Sequence, residues 1–237
     1  MWAFFRNIFF GVGNMPNITQ ANHDIDAIRK AAQEDIRDLR ARVSALDQDS
    51  LDLILTRARS HYAWKDVPVT DAQIARMYDI VKMGSTSMNG NPGRFVFVRS
   101  EEGKARLAKS LKPANVPKVM GAPLTVIIAY DLNFWKELPK LFPHDDRRHL
   151  FEGKPEYIED TAYRNSTLQG GYLMIAARAM GLDVGAMSGF SNEIVDTEFF
   201  ENTTLRSNFL CNIGTADEAA LFQRLPRPTF DDVCSVI

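Results

Sequence analysis

The sequence is poor in cysteine. Cys211 and Cys234 are the only two cysteines in 237 residues, and they do not form a CxxC pair. Two thiols in a chain of this size are too few for a disulfide framework and are typical of a protein from a reducing compartment. We therefore expect a cytoplasmic protein.

The sequence also lacks an excess of charge of either sign. It contains 28 Lys and Arg residues against 30 Asp and Glu residues, which gives a formal net charge of −2. Such a balance gives no electrostatic reason to expect nucleic acid or an anionic membrane as a partner. An anionic ligand would have to be bound by basic groups gathered at one place.

No apolar run in the sequence is long enough to span a membrane. The amino-terminal stretch MWAFFRNIFFGVGNM (residues 1–15) is interrupted by Arg6, and a membrane helix needs about 20 apolar residues. The order of basic, apolar and small residues does not fit a signal peptide. We expect a non-native or over-extended start, with Met15 as an alternative initiator, and a peripheral membrane anchor is the alternative interpretation.

Self-sufficient catalytic signatures are missing as well. The sequence has no GxSxG elbow, no GxGxxG after a strand, no GxxxxGK[ST] loop and no HExxH. His144 and His149 flank a DDRR sequence and could be imagined as metal ligands, but this pattern is more typical of a solvated charged turn. Ser60 is followed by His61, yet neighbours in sequence rarely face each other as nucleophile and base. We expect no metal site and no nucleophilic side chain.

The first 48 residues are predicted to form an extension that contains an amphipathic helix. Between residues 24 and 46, apolar side chains recur at steps of three and four residues, at Ile25, Ile28, Ala32, Ile36, Leu39, Val43 and Leu46. This spacing places them on one face of a helix. We expect that face to pack on the body of the protein or on a partner chain.

Residues 49–237 are predicted to form one α+β domain with a mostly antiparallel sheet flanked by helices. Helices are expected at residues 51–60, after the capping box formed by Thr70 and Gln73, around residues 104–111, and at residues 161–183. Strands are expected at residues 94–98, 124–130 and 208–214, where β-branched and aromatic residues run together. Because strands and helices interleave without a regular βαβ repeat, an antiparallel sheet is favoured.

A long polar connection separates the second strand from the last long helix. Residues 131–157 read DLNFWKELPKLFPHDDRRHLFEGKPEY and show no clear periodicity. Connections of this length are usually lids or binding segments, or else poorly ordered.

Four short stretches have the composition of ligand-binding loops. They are RARSH (57–61), GSTSMNGNPG (84–93), GAMSGF (185–190) and RLPR (224–227). Taken singly, each is more often a helix end, an ordinary turn or a basic tail. Together they fit a protein that binds a cofactor whose own chemistry carries the reaction.

The order of these motifs resembles the nitroreductase family of flavin-dependent oxidoreductases. Arg-Ser is followed by a helix, by TSxNxxPxRFVFV, by an apolar helix that ends in GLD, by MSGF and by a closing LPR. The resemblance covers the chain from about residue 50 to its end. Within the family the chain is most similar to the branch that contains malonic semialdehyde reductase of pyrimidine utilisation, through the sequences ARSHYAWKDVPVTD, STSMNGNPGRFVFV, LFPHDDRR, YRNSTLQGGYL, GLDVGAMSGF and SNFLCNIG.

The resemblance implies a nitroreductase-like fold in an intertwined homodimer, with FMN bound at the subunit interface. NADH or NADPH would be the co-substrate, and hydride would pass through the flavin by a ping-pong scheme to a small oxidised molecule. The branch implies reduction of 3-oxopropanoate to 3-hydroxypropanoate. The broader family allows a nitroaromatic or quinone reductase, and a non-catalytic FMN-binding module is a further alternative.

The resemblance also assigns residues to the FMN site. Arg59 and Ser60 match the start of the family's phosphate-binding segment, and Arg227 matches the phosphate-binding arginine near the end. The remaining matches lie in the loop that borders the flavin ring and ribityl chain and in the turn at the flavin N5 edge, and they are Thr86, Ser87, Asn89, Asn91, Met187, Ser188 and Gly189.

The chain departs from the family pattern at several positions. The family often has a second basic residue two places after the serine, and Tyr62 stands there in this chain, so His61 is expected to take its place. The Pro, Gln and Trp that are common in the family's polar loop are Ser85, Asn91 and Gly93 here. These departures concern ring contacts and substrate stacking more than the binding of the cofactor.

Overall fold

The computed structural model describes residues 18–237, and side chains from residue 26 onwards. The apolar stretch 1–15 lies outside the described residues. The chain divides between Asp47 and Gln48 into two compact units. No helix of the described residues is long and apolar enough to cross a bilayer.

The first unit contains helix α1, Ile18–Arg42. The helix begins before the predicted start at residue 24 and ends before the predicted end at residue 46. Its apolar stripe is exposed within the chain, since Ile28, Ile36 and Leu39 keep 69%, 55% and 44% of their surface accessible.

The second unit is built on an antiparallel sheet. Its strands are β1 (Gly93–Val98), β2 (Leu124–Asp131), β3 (Asp183–Met187) and β4 (Leu205–Gly214), and they lie in the order β1-β2-β4-β3. All three neighbouring pairs are antiparallel. β2 is central and buried over nearly its whole length, as the unbroken apolar run predicts. Strand β3 was not predicted from the sequence, which favours a helix that ends at residue 183 and a turn at residues 185–190.

Helices cover both faces of this sheet. They are α2 (Gln48–Leu51, which continues as a π-helical turn over Asp52–Thr56), α3 (Asp71–Val81), α4 (Glu101–Ala108), α5 (Val116–Met120), α6 (Leu138–Leu141), α7 (Pro155–Ala179), α8 (Asn192–Phe200) and α9 (Phe230–Val233). Side chains alternate along β2, so Val126 and Ile128 join one core with α3 and α7, while Ile127 and Ala129 join the other with α4, α5 and α8. This arrangement confirms the α+β prediction.

Local sequence features account for several helix boundaries. Thr70 and Gln73 form the predicted capping box, in which the Gln73 N–H donates to Thr70 Oγ1 at 3.2 Å and the Thr70 N–H donates to Gln73 Oε1 at 2.9 Å. The helix predicted at residues 51–60 ends earlier, because helical hydrogen bonding stops at the π-helical turn, where the Arg57 N–H reaches back to the Asp52 carbonyl at 3.1 Å.

Helix α7 packs against the sheet through a glycine. A Cβ added at Gly170 would stand 2.5 Å from the Phe209 ring, whereas a Cβ at Gly171 would meet no atom within 4 Å. The first position therefore needs glycine for close approach of α7 to β4. The same helix leaves Tyr163 and Leu168 about half exposed.

The long connection after β2 is folded rather than open. Phe134, Leu138 and Phe151 are buried and form a third core cluster with Tyr130 and Ala162. The rings of Phe134 and Phe151 meet edge to face with centroids 5.1 Å apart. The expectation of poor order is therefore wrong for the part of the connection that carries these residues, because its aromatic side chains have apolar partners on β2 and α7. Its role as a lid or binding segment stays a prediction.

Candidate active site

A cavity of about 530 Å³ lies between the segment after α2 and the carboxyl-terminal tail. Four arginines from three distant parts of the chain line it, namely Arg59, Arg178, Arg224 and Arg227, together with apolar side chains that include Leu55, Leu221 and Phe222. Ser60 and Tyr62 also line it. Of the predicted site residues, the structure brings Arg59, Ser60 and Arg227 together here.

Arg178 fixes the shape of one wall of this cavity. Its guanidinium donates to the carbonyl oxygen of Ile54 at 3.1 Å and to that of Arg59 at 3.2 Å. The side chain is half-buried, and this burial lowers the pKa of Arg178 from its usual value. Arg178 thus connects α7 to the segment that carries Arg59.

The tail is tied to the same segment by Arg224. Its Nη2 donates to the carbonyl oxygens of Thr56 at 2.7 Å and Ala58 at 2.9 Å. Arg227 donates to carbonyl oxygens of its own tail, at Leu225 and Pro226. Backbone carbonyls therefore orient both guanidinium groups.

The cavity concentrates positive charge without a matching carboxylate. Among the residues that the structure describes, none of the four arginines forms an ion pair with Asp or Glu. Desolvation and the nearby charges of Arg59 and Arg227 lower the pKa of Arg224. Guanidinium groups at such a site favour a multiply charged anion, because each can offer two parallel N–H donors.

The segment that carries Ser60 runs beside β3. Ser60 forms a parallel bridge with Val184, and the His61 N–H donates to the Val184 carbonyl at 3.0 Å. A Cβ at Gly185 would stand 2.2 Å from the His61 carbonyl oxygen. Only glycine at position 185 allows this close approach.

His61 itself does not face the arginine cavity. It is buried, and its Nε2 lies 3.3 Å from the Asp183 carboxylate. Burial is the main cause that lowers the pKa of His61, with further lowering by Arg178 and Arg59 against the opposing effect of Asp183. His61 therefore does not line the cavity that contains Arg59 and Arg227, and its expected role in cofactor binding stays a prediction.

The polar loop before β1 adopts an unusual backbone conformation. Met88, Asn89 and Asn91 have positive φ angles of 50°, 51° and 42°. Asparagine tolerates this left-handed region, whereas methionine rarely adopts it. Such a conformation persists only where surrounding contacts hold it.

Two polar side chains of α7 provide those contacts. Asn165 Oδ1 accepts from the Ser87 N–H at 2.7 Å, and Gln169 Oε1 accepts from the Gly93 N–H at 2.7 Å. Gln169 Nε2 also donates to Asn91 Oδ1 at 3.2 Å. Both α7 side chains are buried, so the loop is positioned by the core of the domain.

Further hydrogen bonds close the loop on itself and on the folded connection. Thr86 Oγ1 accepts from the Asn91 N–H at 3.2 Å, and Asn89 Nδ2 donates to the Leu141 carbonyl at 2.8 Å. None of the four predicted loop residues lines the arginine cavity. Within one chain, the predicted phosphate-binding and ring-binding residues therefore form separate groups.

The predicted Met187–Gly189 turn follows β3 and is supported from the segment before α5. The Gly189 carbonyl oxygen accepts from the Lys112 N–H and from Asn115 Nδ2, each at 3.0 Å. Lys118 Nζ donates to Asn115 Oδ1 at 3.0 Å and lies 4.7 Å from the centre of the Tyr62 ring. These contacts connect the turn with the wall of the arginine cavity.

Several of these residues were not predicted from the sequence. Arg178 is the one charged residue in the apolar stretch YLMIAARAMGL, and a charge in such a stretch could have indicated a role for it. Asn165 and Gln169 are polar residues in the middle of the same helix and give a similar indication. Asn115 and Lys118 carry no local indication, because their importance depends on contact with the turn.

The charged turn after α6 is held by its own ion pairs. Arg148 Nη2 lies 2.6 Å from Asp146 Oδ2. Hydrogen bonds from the side chain and the backbone N–H of Arg148 lower the pKa of Asp146 to about 2. Arg147 pairs with Asp145 at 2.9 Å. In the described part of the chain, no group of three or more His, Cys, Asp and Glu side chains is arranged to hold a metal ion.

Comparison with known proteins matches this chain to the nitroreductase family. The family model described as "Nitroreductase family" matches residues 55–203. A Rhodopseudomonas palustris protein named "Putative NADH dehydrogenase/NAD(P)H nitroreductase" is 55% identical over 194 residues, which are 82% of this chain and 99% of that protein. A Burkholderia lata protein with the same description is 51% identical over 194 residues, which are 82% of this chain and 100% of that protein.

Solved structures share the architecture of the second unit. The crystal structure of "a putative nitroreductase in complex with FMN" from Exiguobacterium sibiricum aligns with a TM-score of 0.72 at 21% identity, over 81% of this chain and 98% of that chain. The four-stranded antiparallel sheet with its flanking helices is thus a nitroreductase-like fold.

Proposed function

Because the chain belongs to the nitroreductase family, we propose that it is an FMN-dependent NAD(P)H oxidoreductase that reduces a small oxidised substrate. The observation that carries the proposal is the cavity lined by Arg59, Arg178, Arg224 and Arg227. Guanidinium groups gathered without carboxylate partners attract an anion, and FMN carries a phosphate with up to two negative charges. The relatives named as NAD(P)H nitroreductases support the same class of reaction.

The residues of the cavity fit a phosphate group in chemistry and arrangement. Arg59, Arg224 and Arg227 would hold the phosphate oxygens, with Ser60 as an additional hydroxyl donor. Arg178 would act by orienting the segment of Arg59, since its guanidinium is already bonded to two carbonyl oxygens of that wall. The lowered pKa of Arg224 is consistent with a place where added negative charge is stabilising.

The two other groups of predicted residues fit the rest of the cofactor. The loop residues Thr86, Ser87, Asn89 and Asn91 would border the ring and the ribityl chain with hydroxyl and amide groups. The turn Met187–Gly189 would direct backbone N–H groups at the N5 edge of the ring, where fixed donors stabilise added electron density. His61, which is buried against Asp183, is left out of this set.

Bound FMN would supply the redox chemistry, namely transfer of a hydride equivalent between NAD(P)H and the oxidised substrate. The chain binds and orients both partners, and no side chain of the site needs to act as a nucleophile. Asn165 and Gln169 keep the polar loop in its left-handed conformation through buried hydrogen bonds.

A homodimer would join the separate parts of the site. In one chain the polar loop does not line the arginine cavity, so the loop of one copy would border the cofactor held by the arginines of its partner. Exposed apolar side chains on α7 and on the carboxyl-terminal tail support such an interface, namely Tyr157, Tyr163, Leu168, Phe222, Leu225, Phe230 and Val233. Sedimentation equilibrium of the purified protein measures the assembly, and a monomer at micromolar concentration contradicts this arrangement.

For the substrate we propose 3-oxopropanoate, which the protein would reduce to 3-hydroxypropanoate. This choice rests on the motifs shared with the malonic semialdehyde reductase branch. Nitroaromatic compounds and quinones are the second choice, because the relatives reported above are named nitroreductases.

The decisive experiment is the visible spectrum of the purified protein under anaerobic conditions. We expect an oxidised flavin spectrum that bleaches on addition of NADH or NADPH and returns on addition of 3-oxopropanoate. Return with a nitroaromatic compound or a quinone alone discards the semialdehyde and keeps the oxidoreductase. Bound flavin that NAD(P)H does not reduce indicates a non-catalytic FMN-binding module, and a protein that binds no flavin contradicts the whole proposal.

A further inference from the structure

Lys112 is held in place beside the Met187–Gly189 turn. Its backbone N–H donates to the Gly189 carbonyl oxygen at 3.0 Å, and its Cδ lies 3.6 Å from the point where a Gly189 Cβ would stand. The next residue is Pro113, which restricts the backbone of Lys112 to an extended conformation, and the observed φ and ψ are −61° and 144°. The backbone of Lys112 is therefore fixed next to the turn.

The ammonium group of Lys112 is free to meet a ligand. The residue is exposed, and within the described residues its side chain forms neither a hydrogen bond nor an ion pair. The neighbouring lysines differ in this respect, because Lys109 Nζ lies 2.6 Å from the Glu198 carboxylate and Lys118 Nζ is bonded to Asn115.

The segment around Lys112 has a uniform charge. Residues 109–130 contain three lysines and no Asp or Glu. One carboxylate that reaches this segment from elsewhere, Glu198, is shared by Lys109 and Arg106. The charge of this segment is therefore positive, although the chain as a whole carries a net charge of −2.

We propose that Lys112 is a specificity-determining residue that selects oxidised substrates carrying a carboxylate. The inference rests on the proposed function, since it places the reacting part of the substrate at the Met187–Gly189 turn. A compact ammonium on a flexible stem suits this role, because it attracts an anionic group without requiring the planar geometry of a guanidinium. A neutral substrate of the same shape gains nothing from it.

The test compares 4-nitrobenzoate with 4-nitrobenzamide, which share the nitro group and the ring and differ in charge. The measured quantity is the ratio of kcat/KM for the benzoate to kcat/KM for the benzamide. In Lys112→Gln this ratio should fall about three- to fivefold, the upper part of the range expected for one exposed charge pair, and Lys112→Glu should lower it further. In the unaltered protein the ratio should also fall with added salt, which screens exposed charges.

Lys109→Gln is the matched control. It removes the same charge from the same segment, three residues away, but its ammonium is already held by Glu198. We expect the ratio to stay within about twofold in this variant, since the screened effect of a distant, paired charge is small. An equal fall in both variants overturns the proposal, because it indicates a diffuse field rather than recognition by Lys112.

A binding measurement adds a readout that does not depend on turnover. Calorimetric titration of the purified protein with benzoate and with benzamide should show that Lys112→Gln weakens the first and not the second. An unchanged benzoate affinity and an unchanged kcat/KM ratio overturn the inference. A change confined to KM for NADPH, with KM for NADH unaltered, also overturns it and assigns the lysine to the dinucleotide phosphate. Failure of the unaltered protein to reduce either nitro compound refutes nitro reduction instead, and the titration still decides the role of Lys112.

Discussion

Replacement of Arg224 by Gln should weaken FMN binding through loss of the phosphate contact. Two hydrogen bonds orient the guanidinium of Arg224, because its Nη2 donates to the carbonyl oxygens of Thr56 at 2.7 Å and Ala58 at 2.9 Å. Its other N–H groups remain for an anion in the arginine cavity. The variant removes one charge and the contact between tail and wall, and it leaves Arg59 and Arg227 in place.

The expected magnitude follows from one charge-assisted hydrogen bond. Such a bond contributes about 1.5–3 kcal/mol, and about 1.4 kcal/mol corresponds to a tenfold change in the dissociation constant. The lower end of this energy range applies here, because the tail is exposed and solvent screens the interaction. We therefore expect the Kd for FMN to rise about tenfold, and Arg224→Lys, which keeps the charge and loses the fork, should lie between the two proteins.

The assay is titration of apoprotein with FMN and with riboflavin, followed by flavin fluorescence. Riboflavin lacks the phosphate, so its affinity should hardly change in Arg224→Gln, and the preference for FMN over riboflavin should fall about tenfold. Arg164→Gln is the control, because Arg164 is an exposed arginine of α7 that pairs with Asp160 at 2.7 Å and does not line the cavity. Equal losses for FMN and riboflavin would refute the phosphate assignment and indicate a structural role of the tail.

Further predictions concern stability and reactivity. The pKa of His61 is lowered in the folded protein, so the unfolded chain binds this proton more readily. The free energy of unfolding measured in urea should therefore fall as the pH drops below about 6.5, by about 1.4 kcal/mol for each unit by which folding lowers the pKa. In His61→Gln this dependence on pH should become weaker. Gly170→Ala places a Cβ 2.5 Å from the Phe209 ring of β4 and should lower the free energy of unfolding by about 1–3 kcal/mol, as measured by thermal unfolding. Gly171→Ala is the control and should not destabilise the protein. Equal losses of stability in the two variants contradict the packing argument. Burial raises the pKa of Cys211 to about 12, so a thiol reagent should label Cys234, which is exposed, and not Cys211 in the native protein, as mass spectrometry of labelled peptides can establish.

The central strands and the capped helix could be predicted because their patterns are local. The β-branched run of β2 has no charged residue before its end, and such a run is stable only when both faces are covered. Strand β3 could not be predicted in the same way, since DVGAM has one β-branched residue and a glycine. It is a strand because β4 offers a full set of backbone partners over Asp183–Met187.

The connection after β2 shows the limit of periodicity as a guide. Its aromatic residues follow neither a helical nor a strand period, so the sequence predicted a lid, a binding segment or a poorly ordered segment. Burial of Phe134 and Phe151 depends on Tyr130 and Ala162, which belong to β2 and α7. Contacts between segments far apart in the chain decided its packing, and a local pattern does not report on them.

The sequence by itself determined the chemical groups of the site and their order along the chain. It offered the arginines at both ends, the Asn-rich loop and the glycine turn as candidates, because their order along the chain resembles that of the family. Only the tertiary structure decided which of them meet. It brought Arg178 and Arg224 to the cavity of Arg59, turned His61 towards Asp183, and kept the polar loop in a separate place, because proximity across a fold is set by how the helices pack on the sheet and by which side chains the core can bury.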